Sequence, residues 1–133
     1  MRFMLDTDSC IAMIKRKPAQ ILRKITSLAP GEAGISAVTL SELRFGVAKS
    51  TDRERNSQAL DEFLLPLEIA DFDDAAASSY GKVRAALDAA GTPIGPLDTL
   101  IGAHALSLGA VLVTHNTREF LRIQGLTVED WLA

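Results

Sequence analysis

The chain has 133 residues, 47% of them hydrophobic and 23% charged, with a net charge of −3 and a pI near 5.3. This length predicts one domain, residues 1–133, large enough to bury a core. The negative charge argues against a large basic face that holds nucleic acid, and no apolar run could cross a bilayer. The single cysteine, Cys10, excludes an internal disulfide and is expected in the core. Without a signal-like start, we expect a cytoplasmic protein with no membrane attachment.

The first half of the chain alternates short apolar runs with stretches of helical apolar spacing. The pattern predicts, in order, a strand at 3–5, a helix at 11–14 capped by the side chains of 7–9, a helix between 18 and 29, a strand at 33–36, and helices at 38–49 and 52–65. The basic residues at 15–17 and 23–24 are interpreted as a solvated helix end. An RNA contact is the less favoured interpretation, because no aromatic residues for base stacking lie among them.

The second half continues this alternation. It predicts a strand at 67–69, a long helix from Asp73-Asp74 to Gly91, a helix that begins at Pro96, a central strand at 110–113 and a last strand at 126–128. His104 lies on the apolar face of the helix that begins at Pro96, so it is interpreted as a core histidine rather than a metal ligand. Trp131 is expected to cover the end of the core. The order of elements predicts an α/β fold.

Several polar residues stand where strands end or helices begin, and each has a local explanation. Thr39-Leu40-Ser41-Glu42 matches a capping box, in which Glu42 would only satisfy a backbone N–H. Asn116 and Glu119 can form a similar cap. His115 is interpreted as a surface loop residue rather than a substrate contact.

The joint placement of four polar residues favours a functional site. Asp6 follows the first strand, Glu42 lies in the first turn of the predicted helix after the second strand, Asp98 opens a helix, and Asn116 follows the most apolar strand. In a right-handed β-α-β sheet such junctions lie at one edge, where these side chains can converge.

Three carboxylates at one edge repel each other, so they need a counter-charge or protons. Two such charges ~5 Å apart cost about 3 kcal/mol at an effective dielectric constant of ~20. Oxygen ligands without cysteine or an inward histidine favour Mg²⁺ or Mn²⁺ over Zn²⁺. Such an ion can activate a water and stabilise charge on a phosphate, which makes phosphodiester hydrolysis the leading hypothesis.

Five segments carry a resemblance to a known family. They are residues 4–7 (MLDT), 35–43 (ISAVTLSEL), 95–105 (GPLDTLIGAHA), 112–120 (LVTHNTREF) and 125–131 (GLTVEDW). In this order and spacing they resemble the PIN-domain toxins of the VapC type, nearly from end to end. The resemblance implies a PIN-like fold, with a central parallel sheet of four to five strands flanked by helices. It also implies a Mg²⁺-dependent endoribonuclease in which Mn²⁺ can substitute.

The resemblance assigns roles to individual residues. It makes Asp6, Glu42 and Asp98 the acidic, metal-binding catalytic residues. Asn116 stands where many relatives carry a fourth aspartate, so it is a catalytic position that binds metal, a water or the substrate. Three further positions match supporting residues of the family: Thr7, Thr114 and Asp8. Thr7 and Thr114 would act by hydrogen bonding, and Asp8 stands where relatives often have asparagine.

The resemblance also implies partners. These are RNA, in particular tRNA, whose cleavage would inhibit translation, and a cognate VapB-type antitoxin that occludes the site. Toxin homodimers would assemble further with the antitoxin and reach DNA only through it. A basic antitoxin side chain can replace the charge of the metal. The apolar residues between 38 and 65 belong either to the core or to a surface for a partner helix.

Two other functions fit parts of the sequence. Asp6-Thr7-Asp8 after a strand has the spacing of the nucleophile and acid of a haloacid-dehalogenase-like phosphatase, but Cys10 stands at the place of the usual threonine. A non-catalytic binding module, whose acids only cap helices, is the other alternative. Stabilisation by Mg²⁺ or Mn²⁺ would separate the nuclease from the binding module.

Overall fold

The sheet in this computed structural model, which describes residues 1–15 and 19–132, is parallel throughout. The strands of the described part are β1 (Phe3–Leu5), β2 (Ala33–Ser36), β3 (Glu68–Ala70), β4 (Val111–Val113) and β5 (Val128–Glu129). The helices there are α1 (Thr7–Ile14), α2 (Ala19–Thr26), α3 (Ala37–Ala48), α4 (Arg53–Leu64), α5 (Asp74–Ala89), α6 (Pro96–Leu108) and α7 (Thr117–Phe120). The strand order β3-β2-β1-β4-β5 confirms the predicted α/β fold.

The middle strand β1 is buried on both faces, because helices cover both sides of the sheet. Phe3 and Leu5 point into one core cluster, together with residues of α1, α2, α3 and α4. Met4 points into the opposite cluster, with residues of α5, α6 and α7. The alternation of neighbouring side chains along a strand therefore places one residue in each core layer.

Parallel pairing sends the carboxyl ends of the inner strands to the same edge of the sheet. Met4 is paired with Gly34 of β2 and with Leu112 of β4. The chain leaves β1 directly into α1 and leaves β2 directly into α3. Polar residues at these junctions are consequently held at one edge by rigid elements.

Several features predicted for the core are confirmed. Cys10 is fully buried, and burial raises the pKa of its thiol well above the ordinary value. Trp131 is buried and packs edge-on against Phe3, with ring centroids 5.3 Å apart. His104 is fully buried.

Other boundaries differ from the predicted ones. Helix α1 begins at Thr7 and is capped by Asp6, whereas capping by the side chains of residues 7–9 was expected. The strand at 110–113 is an inner strand, but β1 holds the central place in the sheet. The last strand is Val128–Glu129 rather than 126–128, because Leu126 packs into the core before the chain joins the sheet.

The basic stretch is only partly described. Arg23 and Lys24 lie in the exposed last turn of α2, which agrees with a solvated helix end, and Lys24 lies over the Trp131 ring. Arg16 and Lys17 lie outside the described residues. No helix in the described ranges is both long and apolar enough to span a membrane.

Candidate active site at the carboxyl edge of the sheet

Asp6 is held in a fixed position directly after β1. Its backbone N–H donates to the carbonyl of Val113, over 3.0 Å, and its carboxylate accepts from the backbone N–H of Ser9, over 2.9 Å. Burial raises the pKa of Asp6, and hydrogen bonds from Thr114 and Ser9 oppose this effect. The residue therefore caps α1 and also presents a buried carboxylate at the sheet edge.

Glu42 is held by Thr7 and takes no part in a helix cap. Helix α3 begins at Ala37 and is capped by Ser36, which makes Glu42 the sixth residue of the helix. The capping box, one of the two interpretations of this motif, is therefore excluded, and the predicted first-turn position of Glu42 is wrong. The Thr7 hydroxyl donates to the Glu42 carboxylate over 2.6 Å, and this bond connects the start of α1 to α3.

Asp98 is half-buried in the first turn of α6, and its pKa is raised to about 6. The largest cause is burial, followed by the charges of Asp6, Glu42, Asp8 and Glu119. Coulomb repulsion falls off with distance, so these carboxylates lie in one electrostatic neighbourhood. The charges of Asp6 and Glu42, two of the three predicted acids, therefore act on the third, Asp98.

Asn116 reaches the same edge from β4. Its backbone N–H donates to the Thr114 hydroxyl over 2.9 Å, and its side-chain amide donates to the Glu119 carboxylate over 3.1 Å. The side chain of Asn116 makes no hydrogen bond that caps α7. The predicted cap between Asn116 and Glu119 is therefore a contact between the two side chains instead.

The supporting residues differ in their surroundings. Thr114 is fully buried, its hydroxyl accepts the backbone N–H of Asn116, and its side chain lowers the pKa of Asp6, so it acts on both positions. Asp8 is exposed in the first turn of α1, with its charge acting on both Asp6 and Asp98.

Two residues of the site were not selected from the sequence. Glu119 contributes a further carboxylate near Asp98, although its position after Asn116 suggested only a cap. Ser9 donates its backbone N–H to Asp6 and its hydroxyl to the carbonyl of Val113. The signal that could have identified the cap is the aspartate directly before the helix, whose carboxylate accepts the backbone N–H three residues later.

The cluster carries concentrated negative charge. Within residues 1–15 and 19–132, none of the carboxylates of Asp6, Glu42 and Asp98 forms a salt bridge. Over the same ranges, no three aspartate, glutamate, histidine or cysteine side chains are already grouped closely enough to hold a metal ion. The geometry therefore shows an acidic neighbourhood, and Mg²⁺ binding stays a prediction.

Neither histidine belongs to the acidic cluster, and Cys10, although the charge of Asp6 acts on its thiol, is fully buried. His104 bonds to Ser36 within the core, and Cys10 is packed against apolar residues. His115 is exposed, as predicted, and its Nδ1 lies 3.0 Å from Asp130. The functional groups at the edge are consequently oxygen atoms and one amide.

Comparison with known proteins identifies the family. The PIN domain profile matches residues 3–126. The chain is 47% identical over 131 residues to the tRNA(fMet)-specific endonuclease VapC of Shigella flexneri, with 98% of each chain covered. It belongs to the VapC group of PIN-domain proteins. Ribonuclease VapC2 of Rickettsia felis is a further relative, 41% identical, with 98% of each chain covered.

Solved structures of VapC-containing complexes share the fold. The chain superposes on the DNA-bound VapBC structure from Salmonella typhimurium with a TM-score of 0.93, at 46% identity and 98% coverage of both chains. It superposes on VapBC2 from Rickettsia felis, bound to a promoter DNA fragment, with a TM-score of 0.92, at 40% identity and 98% and 99% coverage. The PIN assignment is confirmed, and it favours the VapC interpretation over a haloacid-dehalogenase-like phosphatase.

Proposed function

We propose that this chain is a Mg²⁺-dependent endoribonuclease and the toxin of a toxin–antitoxin pair. The observation that carries the proposal is that the charges of Asp6, Glu42 and Glu119, which lie at the start of α1, in α3 and in α7, all act on Asp98. The family assignment supports nuclease chemistry, because relatives over the whole length are named endonuclease or ribonuclease.

The donor groups fit a hard divalent cation. Carboxylate and amide oxygens are the ligands that Mg²⁺ and Mn²⁺ accept, and the carboxylates of Asp6, Glu42 and Asp98 would hold the ion. The buried His104 and Cys10 are not presented at this edge, which disfavours a zinc site. When bound, the ion would lower the pKa of a water and stabilise charge on the scissile phosphate.

The residues of the chain would set the orientation of these groups. The Ser9 N–H fixes Asp6, and the Thr7 hydroxyl fixes Glu42, so two ligands are held by hydrogen bonds before any substrate binds. Asn116 is fixed through Thr114 and Glu119, and its amide would contact a water or a phosphate oxygen. Preorganised polar groups of this kind avoid reorganisation during the reaction.

The substrate class follows from the relatives and from charge. The relative from Shigella flexneri is named for tRNA(fMet), and we propose structured RNA, in particular tRNA, as the substrate of this chain, with inhibition of translation as the result. A net charge of −3 disfavours broad non-specific binding to nucleic acid, so a few local contacts would select the RNA. This role would place the protein in the cytoplasm.

An antitoxin would bind beside the acidic cluster. We define the apolar groove as the cavity of about 280 Å³ between α1, α3 and α4. Its lining includes Ile11, Ile14, Glu42, Leu43, Gly46, Val47 and Leu60. A partner helix with apolar side chains fits such a groove, and a basic side chain next to it would reach the carboxylates.

The antitoxin would also determine how the chain assembles. The structural neighbours include VapBC complexes, two of which are bound to DNA, and this supports a VapB-type antitoxin for this chain. The chain would form a homodimer, assemble further with the antitoxin and reach DNA only through it.

The test measures cleavage of tRNA by the purified chain, with Mg²⁺ and with a chelator. Asp6→Asn, Glu42→Gln and Asp98→Asn are each expected to lose most of the activity and little stability, because each removes repulsion as well as a ligand. Asp88→Asn is the matched control, since Asp88 is an exposed acid on α5 that does not act on Asp98. Cleavage that persists in the chelator, or full activity of Asp98→Asn, would contradict the proposal. The absence of both cleavage and ion-dependent stabilisation would favour the non-catalytic binding module.

A further inference from the structure

His104 and Ser36 form a buried hydrogen bond that joins two helices of the candidate site. Both residues are fully buried, and Nδ1 of His104 lies 2.8 Å from the Ser36 hydroxyl oxygen. Ser36 ends β2 and caps α3, while His104 lies in α6. Helix α3 carries Glu42, and α6 carries Asp98. The hydrogen bond between His104 and Ser36 therefore connects the two helices that carry these acids.

The hydroxyl of Ser36 makes two contacts at once. It accepts the backbone N–H of Val38 over 3.1 Å, and within the described residues Nδ1 of His104 is the one acceptor available to its own proton, so we assign Ser36 as the donor. This assignment gives the neutral tautomer with a proton on Nε2. Burial lowers the pKa of His104, and the charge of Asp73 and the backbone carbonyl of Asp71 oppose this effect without reversing it. The imidazole is therefore neutral near physiological pH.

The other side of the ring is fixed by the β3–α5 connection. The Phe72 ring packs edge-on against His104, with centroids 5.2 Å apart. Nε2 forms no hydrogen bond of normal geometry within the described residues, although the Asp71 carbonyl acts on the ring. A buried polar nitrogen with incomplete pairing destabilises the fold compared with an apolar residue of similar size. Core stability alone does not explain a histidine at this position.

We propose that His104 is a positioning residue, which fixes α3 against α6 through Ser36 and thereby sets the spacing of Glu42 and Asp98. This role rests on the proposed function. Glu42 lies six residues after Ser36, and Asp98 lies six residues before His104, which is about 9 Å along each helix axis. Helices transmit displacements over such lengths as rigid bodies, so a shift at the bond moves both acids.

The test compares two substitutions of the same residue. His104→Leu keeps most of the volume and removes the acceptor, whereas His104→Asn keeps an acceptor near the place of Nδ1 and loses volume. Ser79→Ala is the matched control, because the Ser79 hydroxyl donates to the carbonyl of Ala103, over 2.8 Å, and joins α6 to α5 instead of α3. Circular dichroism melting defines a temperature at which every variant is folded.

At that temperature, calorimetry measures the affinity for Mn²⁺. Steady-state kinetics with tRNA then gives kcat and KM as separate values. His104→Leu is expected to weaken Mn²⁺ binding and to lower kcat about 10- to 100-fold, as for other residues that support metal ligands. His104→Asn should recover most of both, and Ser79→Ala should change neither, even where melting temperatures fall. A purely structural role predicts the opposite order, with the larger-volume His104→Leu closer to wild type than His104→Asn.

The outcomes separate the two proposals. Wild type that binds Mn²⁺ and cleaves RNA, together with a His104→Leu variant that matches it, would overturn the positioning role alone. A wild-type chain that neither binds Mn²⁺ nor cleaves RNA would overturn the proposed function and this role with it.

Discussion

The Thr7 hydroxyl donates a 2.6 Å hydrogen bond to the Glu42 carboxylate, although the two residues lie 35 positions apart in the sequence. Thr7 follows Asp6 directly, so the backbone that places one acid of the cluster also orients a second one. A hydrogen bond to a carboxylate is stronger than one between neutral groups, and it restricts the rotamers of a long side chain. The bond therefore preorganises two of the three acids as a unit.

Removal of the Thr7 hydroxyl should impair the site more than the fold. Thr7→Val keeps the branched shape and deletes the donor, so we expect cleavage to fall about 10- to 100-fold, with a stability loss of about 1 kcal/mol. Thr7→Ser keeps a donor and should retain most of the activity. Steady-state cleavage and urea unfolding check both effects. Equal activity of the valine and serine variants would show that the bond has no role in catalysis.

The raised pKa of Asp98 predicts how stability depends on pH in the metal-free protein. Its folded-state pKa of about 6 lies above the ordinary 3.8, so the folded state binds the proton more tightly than the unfolded state. Asp98 therefore opposes folding above its folded pKa, and this effect disappears as the pH falls through about 6 towards 4. Because the group is only half-buried, solvent screening reduces the effect to about 1 kcal/mol.

Asp98→Asn isolates this contribution. In a chelator, the variant should be more stable than wild type at about pH 7 by about 1 kcal/mol, and the difference should vanish near pH 4. Urea unfolding across this pH range measures it, and Asp88→Asn controls for the general loss of one negative charge. Parallel pH profiles for wild type and Asp98→Asn would mean that neither burial nor the neighbouring carboxylates raise the pKa of Asp98 in the folded protein.

Gly46 offers a way to separate inhibition from catalysis. It lies in α3, lines the apolar groove, and has open space where a side chain would begin. Gly46→Leu should fill the groove and add up to about 1 kcal/mol of helix stability. We expect RNA cleavage to remain while inhibition by the antitoxin weakens at least about tenfold, because the groove can no longer accept an apolar side chain of the partner.

Gly81 provides the matched control for this experiment. It lies in α5, with the same open space around it, but it does not line the groove. Gly81→Leu should therefore remain fully inhibited by the antitoxin in the cleavage assay. Unchanged inhibition of Gly46→Leu would mean that the antitoxin binds elsewhere.

The sequence predicts that polar residues after the inner strands lie at one edge, because the carboxyl ends of parallel strands meet there. Asp6 follows β1 directly and fits this principle, whereas Glu42 lies in the second turn of α3 and Asp98 opens α6 after another helix. The charges of Asp6 and Glu42 nevertheless act on Asp98. The order of the strands could not be derived in the same way. It depends on which elements pair across long sequence distances, such as β1 with both β2 and β4.

Short sequence motifs suggested helix caps at Glu42 and Glu119, but other contacts in the fold determine the roles of both residues. The Thr39–Glu42 spacing fits a capping box, but Ser36 ends β2 and is already placed to cap α3. Glu119 fits a cap partner, but its carboxylate accepts from the Asn116 amide and lies near Asp98. For Glu42 the residue that matters is Ser36, which the end of β2 holds in place. For Glu119 it is Asp98, which is remote in sequence. A short motif contains neither kind of information.

Under the proposed function, catalysis by this site requires a divalent ion shared by Asp6, Glu42 and Asp98, and calorimetric titration of the purified chain with Mn²⁺ tests this requirement most directly. We predict saturable binding by wild type and by Asp88→Asn, with affinity at least about tenfold weaker in Asp98→Asn. No binding by wild type, or equal binding by Asp98→Asn, would contradict the account.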